Sequence, residues 1–375
     1  MKNKKIIYKL SIIGLLSISF VVVLFLLSEN QVHLNNGFTR RYIPRPMTKL
    51  FKLPLKYNSY YISGWDTKHF YLSSSTAPLH LLKVNLKTKD TQHIKLKLER
   101  KDFPFRSVKT KIIPPYFFVM DGTVPCVFRG NIKTWEASLW MKDQVYFTES
   151  TPIDATMLAF KTIDSKLLRN ILGVLQKDTT FHVSLNKTLL KKQIDGVFCT
   201  SGTLHYNAYL NKLIYVYLYR NQYLMVDTNF LNETYGKTID TIRKAQLKVV
   251  MNHRTHEQKL AKPPIYVNQR SFVYKEYLYI QSNRLGKFEP TTMLQQASII
   301  DVYNLYKNSY EFSFYLQDAQ KKKVKDFAIN GNYLISINGN TALIYQLKPS
   351  FFQKKDQSSM PNINPNNPIL ASFRK

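Results

Sequence analysis

The sequence predicts an all-β protein: a six-bladed β-propeller closed by its own amino-terminal strand and preceded by one transmembrane helix. Three observations lead there. An unbroken apolar run opens the chain, and a phrase of two apolar strands around a polar turn recurs along it. The last occurrence of that phrase lacks a final strand, which "KLFKLPL" at residues 49–55 can supply.

The apolar run is "LSIIGLLSISFVVVLFLL", Leu10 to Leu27, 18 residues without a charge. That length spans a bilayer core with modest tilt. Lys2, Lys4, Lys5 and Lys9 precede it and no Lys or Arg follows until Arg40, so the positive-inside rule places residues 1–9 in the cytoplasm as a basic tail and the ring outside. "LLSENQ" has no small-x-small cleavage site, which favours a retained anchor over a removed signal peptide. Residues 28–47, with Arg40, Arg41 and Arg45, read as a polar tether, and residues 349–375, rich in Asn, Pro, Ser and Lys, as a loose flexible tail.

Between them, residues 48–348 carry the repeat. Its examples include "HFYLSSSTAPLHLLKVNLKT", "YFFVMDGTVPCVFRGN", "NILGVLQKDTTFHVSLNKT", "KLIYVYLYRNQYLMVDTNF" and "NYLISINGNTALIYQLK". One central residue from each second strand gives Val84, Val127, Val183, Val226, Val302 and Ile344, spaced by 43, 56, 43, 76 and 42 residues. Periods of 40 to 50 residues fit a propeller repeat of four strands, the longer gaps holding insertions. The last unit runs into "PSFFQKKDQSS", which cannot be a strand, so "KLFKLPL" closes it. Phe51, Leu53 and Leu55 share one face there, and Pro54 is tolerated on an outer strand. "HIKLKLERK" reads as another outer strand, with Ile94, Leu96 and Leu98 inward and Lys95 and Lys97 in solvent.

The formal charge is +30, from 54 Lys and Arg against 24 Asp and Glu. In the cytosol that would suggest nucleic acid; outside the membrane it does not, and an anionic glycan or lipid surface becomes the charged partner to consider. Lys321, Lys322, Lys323 and Lys325 form one basic cluster. Cys126 and Cys199 both sit in apolar strand-like runs and read as buried free thiols.

Chemistry is sparse. No GxSxG, P-loop or GxGxxG occurs. His253, His256 and Glu257 lack the order of a zinc-binding HExxH, and the neighbouring "TIDTIRKAQLKVV" is expected to form a short helix packed on the ring. Asp121, Asp154, Asp227, Asp301 and Asp326 recur near strand ends, where they cap turns or, converging on a tunnel, could bind Ca²⁺. Cys199 and His205 fall near the expected tunnel mouth. The candidate tunnel or face residues are therefore Asp121, Cys199, His205, Asp227 and Asp301, with no catalytic residue, metal ligand or cofactor assigned.

The anchor, "FTRRYIPRP", "PYFFVMDGTVPCVFRGNIKTW" and the closing "FAINGNYLISINGNTALIYQLK" together resemble uncharacterised membrane-anchored propeller-like proteins of Gram-negative bacteria. Six-bladed TolB-type and NHL-type rings have the same general look. The resemblance implies the fold and a periplasmic setting; the reading of the chain as a whole is a ring on the cytoplasmic membrane that binds another envelope protein as a scaffold. The alternatives are a Ca²⁺-dependent hydrolase or lyase using tunnel acids, and a receptor for an anionic surface polymer.

Overall fold

The structure is a computed structural model and describes residues 2–32, 36–100, 102–252, 257–317 and 322–352. Helix α1 (Lys2–Val32) takes in the basic residues expected as a separate tail. Its segment Lys5–Leu27, of mean hydropathy 2.9, is long and apolar enough to cross a membrane, and none of it is buried against the protein.

The other described residues are strand and loop, apart from two four-residue helical turns, α2 (Met293–Gln296) and α3 (Pro349–Phe352). After β1 (Met47–Pro54) comes a meander of β2 (Tyr60–Trp65), β3 (His69–Ser74), β4 (His80–Asn85) and β5 (Thr91–Lys95). The two-residue β6 (Lys97–Leu98) leads into β7 (Val108–Ile113), β8 (Tyr116–Asp121), β9 (Cys126–Asn131) and β10 (Glu136–Lys142). These strands make one nine-stranded sheet, since β2 and β7 meet at a parallel pair, Gly64 and Ile112, and β6 runs beside β10. Gly64 is required there: a Cβ would collide with the Ile112 carbonyl.

A four-stranded sheet follows from β11 (Glu149–Pro152), β12 (Met157–Asp164), β13 (Arg169–Lys177) and β14 (Phe181–Asn186). The next comprises β15 (Gly202–Asn207), β16 (Lys212–Tyr217), β17 (Gln222–Val226) and β18 (Thr234–Lys237). A hairpin of β19 (Val249–Asn252) and β20 (Glu257–Leu260) precedes a sheet of β21 (Arg270–Tyr274), β22 (Tyr277–Ser282), β23 (Ala297–Asn304) and β24 (Ser309–Gln317). The last sheet holds β25 (Val324–Asn330), β26 (Tyr333–Asn338) and β27 (Thr341–Leu347), and its fourth strand is β1. Phe51 pairs with Ile344 and Leu53 with Ala342. The amino-terminal strand therefore closes the last sheet, as its pattern predicts.

The fold is propeller-like. First strands follow one another in contact, β2 to β7, then β11, β15, β21 and β25, and β25 returns to β2. The core is divided among apolar clusters between neighbouring sheets rather than gathered at a centre. Strand β8 shows why its sequence is continuously apolar: Phe117 and Val119 pack on Tyr71 and Leu81 of the preceding meander, while Phe118 and Met120 pack on Leu158 and Phe160 of the following sheet.

Five expectations are corrected. The phrase holding Val183 is β13 and β14, the third and fourth strands of its sheet, so Val183 stands on an outer strand and is 41% exposed. Alternation in "FHVSL" imitates an interior strand, whereas the true second strand, "MLAFKTID", is interrupted by Lys161. "HIKLKLERK" is split: β5 ends at Lys95, and the chain crosses so that Lys97 N donates to Trp135 O and Glu99 N to Ala137 O, with Ile94, Leu96 and Leu98 buried as expected. Residues 238–248 contain no helix, because their backbone is used elsewhere: Asn221 N donates to Ile242 O and Thr238 N to Asn221 O. The tail does not start at Pro349, since α3 sets Phe352 against Tyr279, Phe312 and Phe314.

The fifth correction concerns residues 36–46, which are docked rather than tethering loosely. Arg40, with a fully buried side chain, donates from Nε and Nη2 to the Asp301 carboxylate (2.6 and 3.1 Å), and from Nη1 to Glu289 (2.7 Å). Tyr42 bridges to Ser313 on the outer edge of β24 and stacks on Tyr315. His253, His256 and Lys321 lie outside the described residues.

Two stability outcomes follow. Ile344→Ala, emptying a fully buried site between β26 and β1, lowers unfolding stability in denaturant titration by about 3 kcal/mol, and exposed Lys52→Ala changes it by less than about 0.5. Arg40→Met strands two buried carboxylates and costs about 3–5 kcal/mol in the same measurement.

Candidate functional site in the axial channel

Side chains on the first strands alternate between the sheet-to-sheet packing and the axis. On β7, Val108 and Ile112 lie in the apolar cluster, and Lys109, Lys111 and Ile113 face the axis. Two cavities result. One of about 650 Å³ lies where the first strands end, among Trp65, Ile113, Tyr206, Phe272, Tyr274 and Ile329. The other, about 760 Å³, lies where they begin, among Ser59, Lys109, Phe147, Glu149 and Lys325. Ile62, Lys111, Arg270 and Asp326 line both, and form the waist between them.

The waist is electrostatically uneven. Glu149 is engaged, accepting from Lys161 Nζ (3.0 Å) and from Leu204 N (3.1 Å). Asp326 accepts from Ile62 N (2.8 Å). Burial raises the Asp326 carboxyl above its ordinary range, opposed by that N–H and by Arg270. Burial lowers the Lys111 ammonium despite Glu149 and Asp326. His205 bonds Ser271 Oγ through Nε2 (2.8 Å), and burial, helped by the Lys111 charge, pulls its imidazole down to about 3. The ring is therefore neutral at ordinary pH, a hydrogen-bonding group and not a proton store.

Of the five candidates, His205 lies on this channel and the others do not. Asp121 is buried at the end of β8 and accepts N–H bonds from Arg106, Ser107, Thr123 and Val124 (2.7–3.1 Å). Burial would raise its carboxyl, but those four donors hold it low. Asp227 caps the loop after β17 through Leu231 N and Asn232 Nδ2. Asp154 caps the β11–β12 turn, and Asp301 holds Arg40. Cys199 is a buried free thiol that donates to Asp195 O, and Cys126 is likewise free. Among the described residues no three His, Cys, Asp or Glu side chains are grouped as a metal site. Lys111 and Arg270 were missed because an alternating polar face such as that of "VKTKII" does not say which way it points. A ring's first strands turn that polar face onto the axis.

A second feature lies on the rim. Outer strands are guarded almost throughout: β24 by Tyr42, β10 by β6, β1 by Lys49, Lys52 and Pro54, β5 by its polar side chains, and β18 by Asn308, whose Nδ2 donates to Tyr235 O. Strand β14 is not. Val183 and Leu185 are 41% and 46% exposed, and its outer backbone edge is unpaired among the described residues.

No protein-family model matches the chain. No curated protein matches it either. Solved structures of similar outline include a putative exported protein from Bacteroides fragilis (9% identity, 83% of this chain and 98% of that one, TM-score 0.48). Virginiamycin B lyase from Staphylococcus aureus, crystallised with quinupristin, has 9% identity, coverage of 80% and 99%, and a TM-score of 0.44. A Bacteroides thetaiotaomicron protein of unknown function has 10% identity, coverage of 84% and 74%, and a TM-score of 0.45. None lends this chain a residue role.

The depressed His205 imidazole has a signed consequence. The unfolded chain, with its histidine near 6.5, takes up the proton first, so stability falls as pH drops from 6.5 toward 3. By pH 5 the loss through this one group reaches about 2 kcal/mol. His205→Asn removes that component, and its denaturation midpoint falls less than that of the unaltered protein between pH 7 and pH 5.

Proposed function

We propose that the chain is a six-bladed β-propeller, anchored in the cytoplasmic membrane through Leu10–Leu27 with its ring in the periplasm, and that it serves as a binding or scaffolding module for another envelope protein. The cyclic succession of first strands, with apolar clusters between neighbouring sheets, supports the blade count. Four lysines ahead of the apolar run support the orientation.

The observation that carries the binding role is the open edge of β14. An unpaired edge presents a row of N–H and C=O groups, and exposed Val183 and Leu185 beside it offer side-chain contacts to an added strand. A protein segment adding to that edge satisfies both. A photo-crosslinking residue placed at Leu185 in cells is expected to yield one dominant adduct with an envelope protein, identified by mass spectrometry and lost in Val183→Lys. The same residue at His93 on β5 yields none. Equal adducts from both positions, or none from Leu185, overturn the reading.

A further inference from the structure

We propose that the waist of the axial channel binds a small amphiphilic monoanion, a carboxylate carried on an apolar body. This site is separate from the β14 edge and does not rest on it.

Lys111 from β7 and Arg270 from β21 face the same space, and neither side chain makes a hydrogen bond or ion pair with a described residue. The acids around them do not cancel the charge. Glu149 is already held by Lys161, and Asp66, on the wall of the neighbouring cavity, accepts from Lys68 N, His69 N and the Tyr71 hydroxyl, which leaves Asp326, itself bonded to Ile62 N, against two cations. The waist thus carries one excess positive charge in a partly desolvated place, where an unpartnered cation is costly and an added carboxylate is stabilising. Lys109 and Lys325 at the adjoining cavity deepen the same potential.

The cavity on the other side supplies the second half of the ligand. Its 650 Å³ lies within the range of drug-sized sites, and Ile113, Phe272, Phe327 and Ile329 give it apolar walls. Neutral His205 and its Ser271 partner stand at the boundary between wall and waist and can donate a hydrogen bond to the ligand without adding charge. A ligand that is all charge leaves the apolar end wet, and one without charge leaves the cations unpaired. An amphiphilic monoanion meets both halves.

The test uses the full chain in lipid nanodiscs, titrated calorimetrically with 2-naphthoate and with its neutral counterpart, 2-naphthamide. Naphthoate is expected to saturate one site and to bind at least about tenfold more tightly than the amide, the scale of a charge-assisted hydrogen bond. Lys111→Met and Arg270→Gln are each expected to weaken naphthoate by about tenfold and to leave the amide within about twofold, which also reports an intact cavity. Lys95→Met on β5 changes neither ligand. The proposal is overturned if the amide binds as tightly as the acid, if neither binds, if Arg270→Gln leaves naphthoate unaffected, or if Lys95→Met weakens it as much as Lys111→Met does.

Discussion

The antiparallel pairing of β1 with β27 is the constraint on which the rest of the ring depends. Each sheet packs one face on the sheet before it and the other on the sheet after it, and the cluster between the first and last sheets exists only when the cycle is complete. Where the cycle ends, Phe51, Leu53 and Leu55 cover Ile335, Ile337 and Ile344, and the ladder from Met47 to Pro54 satisfies the outer edge of β27. Removing that strand would expose a row of backbone groups and a dry cluster together. The chain's start is secured a second time on the adjacent sheet, where Arg40 lies between Asp301 and Glu289.

Charge is organised in three environments that a net count merges. Exposed pairs such as Lys97–Glu136 and Arg100–Asp102 are solvated and contribute little. The Arg40 group is buried and hydrogen-bonded to Asp301, Glu289 and Arg284 O, and it fixes where the amino-terminal segment sits. The waist cations are partly desolvated and make no side-chain ion pair with a described residue, an arrangement that packing alone does not reward.

Much of this was legible in the residues. The closing strand could be read because "KLFKLPL" has an outer strand's alternation and the last unit visibly runs out of strands. The hairpins were readable from turn chemistry such as Asp121-Gly122 and Asn338-Gly339. What failed did so for identifiable reasons. Alternation tells which residues share a face and not where that face points, so Val183 on a rim strand looked interior and nothing marked Lys111 as axial. Arg40 looked like a tether residue because its partners lie about 250 and 260 residues away, beyond any local pattern. The aspartates were read either as turn caps or as tunnel residues, and Asp121, Asp154 and Asp227 cap through near neighbours, whereas Asp301 holds Arg40 and Asp326 lines the channel.

The distance along the chain between Phe51 and Ile344 also sets an order of events. Strand β1 is synthesised first, and its partner comes 293 residues later. For a featureless coil, joining points so far apart costs about 5 kcal/mol in loop entropy beyond a constant. Intervening sheets change that cost, because each meander pairs locally and can form before the ends meet, and their stacking curves the chain until β1 and β27 are neighbours. Closure is then the last step, and it is also the step that makes the molecule cooperative. A nascent chain that has made every sheet but the last is an open arc, with its first strand waiting as an unpaired edge for a segment not yet translated.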